Sequence, residues 1–203
     1  MSTEGIDREI RELANSLDRV DLRGKAAIFA VCGQALLPLL RMVENRFDSK
    51  WSFPDVAAAL DVINEFATGT AEPADHSDLR ARLMGTVPHG HELGAPWSTY
   101  AQDALICIDA GLAAASTNGH LKPIWIQYPL EPLTASMQIR DSDLIRSHGE
   151  DEWSRGIVND PVFVDALVFL RAAIAEVAQS SPLRIADLRR LVERAAVLLP
   201  ADR

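Results

Sequence analysis

Apolar residues recur at helical spacing along almost the whole chain. Ile6, Ile10, Leu13 and Leu17 fall four, three and four residues apart, one stripe on an otherwise charged segment. A second helix is predicted from Asp21 to Phe47. Its centre, AAIFAVCGQALLPLL, is apolar on every side, the mark of a helix at the middle of a fold. Pro38 removes one backbone donor there and predicts a kink. The stretch SFPDVAAALDVINEFATG offers Ser52 and Pro54 as a helix start and Gly69 as its end, with Val56, Leu60, Ile63 and Phe66 facing inward.

Residues 70–97 break the pattern. Three prolines, three histidines and three glycines predict a long loop with one short helix over Ser77–Met84. Beyond Pro96 the spacing predicts a helix to about Thr117. The segment IWIQYPLEPLTASM reads as a short extended lead-in followed by a helix, with Pro129 in its first turn and Leu133 and Met137 inward. Pro161 to Gln179 places Val162, Ala166, Phe169, Ala173 and Val177 on one face. Ser181 and Pro182 are read as the start of a last helix carrying Ile185, Leu188, Leu191, Val192 and Ala195. Neither an internal repeat nor a sustained heptad is visible. Seven or eight helices with short connections predict an all-α bundle, one domain over residues 1–203.

Composition narrows the function. The net charge is −9, and residues 51–150 hold thirteen acids against five bases. Such a surface repels phosphate, so nucleic-acid binding is not expected, and it favours a basic protein partner. The apolar run Ala26–Leu40 is 15 residues, shorter than the roughly 20 a membrane span needs, and reads as a buried helix rather than a membrane segment. The charged start MSTEGIDREIRE lacks the layout of a secretory signal. Cys32 and Cys107 sit in apolar patterns outside any CxxC pair, as reduced core thiols of a cytoplasmic protein would.

The helix YAQDALICIDAGLA carries two carboxylates in an apolar setting. Asp103 and Asp109 are six residues apart, hence about 120° apart around the axis. They cannot share one site, which argues against a paired-carboxylate mechanism. Both are read as structural buried carboxylates, Asp109 held by an Arg, a hydroxyl or a helix N-terminus. Gly111 would let a neighbouring helix approach closely. The loop motif HGHELG sets His89 and His91 two apart beside Glu92, with His76 and His120 as further donors. These types can ligate zinc, but HExxH and other complete ligand patterns are absent, so no metal and no cofactor are assigned. GxGxxG, GxxxxGK[ST] and GxSxG are missing as well. Of the four tryptophans, Trp97 follows the acidic loop and is the one expected at an interface.

The segments APWSTYAQDALICIDAGLAAAS and IWIQYPLEPL, with Asp103, Asp109 and Gly111 in a D-x5-D-x-G arrangement, resemble predicted all-helical immunity proteins of bacterial polymorphic toxin systems. The likeness covers the middle half of the chain. It implies a non-enzymatic cytoplasmic protein that neutralises a cognate toxin, nucleases being one class, by binding it. Asp75, Asp78, Glu92 and Trp97 are the candidate partner-binding residues. Two other readings stand beside it. One is a metal-dependent enzyme built on His89 and His91. The other is a structural subunit of a helical assembly, for which a homodimer is one form.

Overall fold

The computed structural model describes residues 4–47, 53–88, 93–94, 96–148, 153 and 156–200. Among them are nine α-helices, and no strand is present beyond one isolated bridge. The helices are α1 (Glu4–Asp18), α2 (Leu22–Phe47), α3 (Phe53–Ala67), α4 (Ser77–Met84), α5 (Trp97–Ala115), α6 (Glu131–Arg140), α7 (Ser142–His148), α8 (Pro161–Ser180) and α9 (Ile185–Arg194). Two 3-10 turns, Pro123–Gln127 and Ala195–Leu198, complete the chain. The fold is all-α, with one continuous apolar core.

α2 and α5 form the centre and make the most extensive helix contact in the molecule. Two glycines let the central helices approach their neighbours. A Cβ on Gly33 of α2 would lie 2.7 Å from Ile108 Cγ1 of α5, and one on Gly111 of α5 would lie 2.8 Å from Ile63 Cδ1 of α3. α3 packs on both central helices, α8 and α9 pack on α2, and α4 lies across α3 and α5. α2 is long and apolar enough to cross a membrane, yet 72% of its apolar window is covered by other helices of the chain. α2 also runs on through Pro38.

Local chemistry sets the helix ends. Asp21 Oδ1 accepts from the Gly24 amide at 2.7 Å and starts α2. α3 closes on Gly69, whose φ of +75° suits glycine. The Thr70 amide donates to Glu65 O and the Gly69 amide to Phe66 O, the paired bonds of a Schellman motif. Asp160 caps α8 by accepting from the Val162 amide at 2.9 Å, with Pro161 in the first turn.

Four expectations need correction. IWIQ is a 3-10 turn rather than an extended lead-in. Pro123 presets its first φ, and the Trp125 and Tyr128 amides donate three residues back. α6 starts at Glu131 with Pro132 in its first turn, so Pro129 precedes the helix. α5 ends at Ala115 rather than at Thr117, because Ser116 turns extended and pairs with Ala74. Ser181 and Pro182 connect two helices rather than starting one, and α9 begins at Ile185. α7 was not anticipated. A polar knot joins the residues on either side of it: Asp141 accepts from Arg140 and from Trp153 Nε1, while Arg140 also reaches Asp160 at 2.9 Å.

Candidate functional site

α5 places two different surfaces at its two ends. At its C-terminal end Ala74 forms a parallel bridge with Ser116, which fixes the start of the α4 segment there. Asp75 and Asp78 follow and are exposed. Asp75 Oδ1 accepts from the Ser77 amide at 3.0 Å. That bond holds its carboxyl below the usual range and keeps it charged. Together with His76 and Arg82, these acids line a shallow depression of about 240 Å³.

Two bases of α4, near these acids, are occupied. Arg80 donates through Nε and Nη2 to Asp109 at 2.7 and 2.9 Å. Arg82 donates to Asp55 at 3.0 Å. Asp61, Glu65, Glu72, Asp75 and Asp78 are left exposed along α3, the following loop and α4. Among these five, Glu72 meets Arg23 at 3.1 Å but remains 84% exposed.

Trp97 stands at the other end of α5, 19 residues away, a run of roughly 28 Å. It packs edge-on to Phe47 and Tyr100, with ring centroids 5.9 Å away in each case. The Arg46 guanidinium lies 4.5 Å from its ring centre. Asp75 and Asp78 are therefore brought together, and Trp97 belongs to another surface. Glu92, His89 and His91 lie outside the described residues. Among the described residues, no group of three or more His, Cys, Asp or Glu is gathered in a metal-binding arrangement.

The two carboxylates of α5 meet different environments. Asp109 is buried and gripped by Arg80 in a bidentate pair. Asp103 is also buried, but its Oδ2 has no hydrogen-bond partner among the described residues. Burial pushes its pKa up to about 8, and the charge of Glu131 on α6 adds to the shift. Glu131 is itself raised by burial, and Tyr128 is raised by burial and by both carboxylates. Cys32 and Cys107 are free, fully buried thiols. Burial pushes Cys32 up to about 12 and Cys107 well above its ordinary value, so neither is poised as a nucleophile.

Sequence reasoning did not find Arg80 as the partner of Asp109, Glu131 as the neighbour of Asp103, or the Arg46–Trp97 contact. The first two cross 29 and 28 positions of sequence, and the third crosses 51. Each depends on which helix faces lie side by side. A helical-wheel comparison of Arg46 with Phe47 could have marked the end of α2 as basic and aromatic, but not its neighbour.

No family model, curated protein or solved structure matches the chain.

Proposed function

We propose that this chain is a cytoplasmic immunity-type protein that neutralises a cognate bacterial toxin by binding it through the acidic surface of α3 and α4. One observation carries the reading. The five exposed acids between Asp61 and Asp78 face solvent, while Arg80 and Arg82 are committed to Asp109 and Asp55. Asp75 and Asp78 therefore project negative charge that Arg80 and Arg82 do not cancel. A basic toxin, such as a nuclease whose site attracts phosphate, would meet carboxylates where phosphates would otherwise stand. The resemblance of the central segments to immunity proteins supports the same reading. Asp75 and Asp78 are assigned to the contact. Trp97, roughly 28 Å away along α5, is not required for it.

The test is co-expression with the product of the neighbouring gene. Growth should be rescued, and the two proteins should elute as one complex at low salt. Asp75→Asn with Asp78→Asn should weaken the complex and reduce its salt sensitivity. Failure of any complex to form with that product would overturn the proposal. A tightly bound stoichiometric transition metal in the purified protein would instead favour an enzyme built around His89 and His91.

A further inference from the structure

The exposed face of α2 carries a second surface of opposite character. A groove of about 840 Å³ runs along it, lined by Gln34, Leu37, Pro38, Arg41, Met42 and Arg46, with Trp97 on its α5 side. From Gln34 to Arg46 it covers twelve helical rises, roughly 18 Å. Its floor is apolar at Leu37, Pro38, Met42 and Trp97. Pro38 has no N–H to give to the Gln34 carbonyl.

The two guanidiniums rest on rings of different helices. Arg41 lies 5.9 Å from the Phe53 ring centre on α3, and Arg46 lies 4.5 Å from the Trp97 ring centre on α5. Both are exposed, and neither is ion-paired with a carboxylate among the described residues. Glu44, on the same helix, does not line the groove. Many other arginines in this acidic chain are spent on carboxylates, including Arg23, Arg80, Arg82, Arg140, Arg184 and Arg194. Aromatic rings hold Arg41 and Arg46 by their faces and leave their N–H edges free to donate.

We infer that this groove docks an acidic amphipathic segment of a partner protein, with apolar side chains on Leu37, Met42 and Trp97 and carboxylates on Arg41 and Arg46. The shape favours a segment over a small anion. The channel is open and about three helical turns long, and its two cations are held on rings of different helices. The acidic stretch from Asp61 to Asp78 of a second copy carries no exposed large hydrophobic residue to fill the apolar floor, so that face is not the occupant. This inference is independent of the acidic surface at the other end of α5.

The probe is a fluorescein-labelled helical peptide of about 14 residues, Leu on one face and Glu on the other, long enough to span the groove. Fluorescence anisotropy with the full chain should show saturable micromolar binding that weakens as salt rises. Arg41→Ser with Arg46→Ser should weaken it about ten-fold or more, and Trp97→Ala should weaken it separately. The arginines are exposed, so circular dichroism should report an unchanged fold. Asp75→Asn with Asp78→Asn should leave peptide binding unchanged, which separates this result from the fate of the acidic surface. The inference is overturned if the peptide does not bind, if the double arginine variant binds equally well, or if a Leu/Lys peptide binds as tightly. It is also overturned if anilinonaphthalene sulfonate alone binds with the same arginine dependence, which would mark a small-anion site. Self-association of the chain that disappears in the arginine double variant would assign the groove to a second copy and overturn it too.

Discussion

Arg80 of α4 and Asp109 of α5 form a bidentate pair, Nε to Oδ1 at 2.7 Å and Nη2 to Oδ2 at 2.9 Å. The Asp109 side chain is 9% exposed and that of Arg80 is 26% exposed. The pair pins the short α4 to the central helix and removes Arg80 from the acidic surface. Arg80→Ala should leave a buried carboxylate without its cation and destabilise the fold by about 3 kcal/mol, the low end for a buried pair because Arg80 is partly solvated. Urea denaturation checks this. Replacing both residues, Arg80→Met with Asp109→Leu, should recover most of the loss, and a double-mutant cycle gives the coupling.

Asp103 predicts a pH dependence. Its folded pKa of about 8 lies above the ordinary value of 3.8, so the folded state holds a proton that the unfolded state releases. Stability from this group is fully present below pH 4 and is lost as pH rises from about 4 through 8. The urea midpoint should fall across that window. Asp103→Asn should flatten the fall and raise the midpoint above pH 7. Glu131→Gln should reduce it, because the Glu131 charge adds to the shift that burial begins. An unchanged pH profile in Asp103→Asn would show that another group sets the dependence.

The glycine contacts predict steric costs. Gly111→Ala places a methyl 2.8 Å from Ile63 Cδ1, and Gly33→Ala places one 2.7 Å from Ile108 Cγ1. Each should destabilise by about 1–3 kcal/mol through overpacking. Ile63→Val removes the Cδ1 atom and should partly rescue Gly111→Ala but not Gly33→Ala, as thermal melts of the four variants would show.

The thiols predict an absence of reaction. Cys32 and Cys107 are fully buried and shifted toward the protonated form. Dithiobis(nitrobenzoate) should label neither in the native protein at pH 8 and both in denaturant. Rapid native labelling would mean that the α2–α5 interface opens readily.

Legibility followed the range of the interaction. The stripe of α1, the Gly69 end of α3, the short α4 and the inward face of α8 rest on spacing and on caps within a few residues, so they could be read directly. The errors at IWIQ and at Ser181–Pro182 were local choices between an extended strand, a 3-10 turn and a helix, which neighbouring helices and proline placement decide together. The candidate site was legible only in part. Asp75 and Asp78 are exposed, as acids in a polar stretch of sequence suggest, but nothing in the sequence placed Trp97 beside Arg46.

By itself the sequence determined the helical class, the central position of α2 and α5 and the acidity of the middle of the chain, because periodicity and charge are properties of neighbouring residues. The tertiary structure decided how that charge is used. It neutralised Arg80 and Arg82, left Arg41 and Arg46 resting on rings, and gave Asp109 a cation while Asp103 received a carboxylate neighbour. These outcomes depend on which helix faces meet, and a one-dimensional pattern does not contain the pairing of faces distant in the chain.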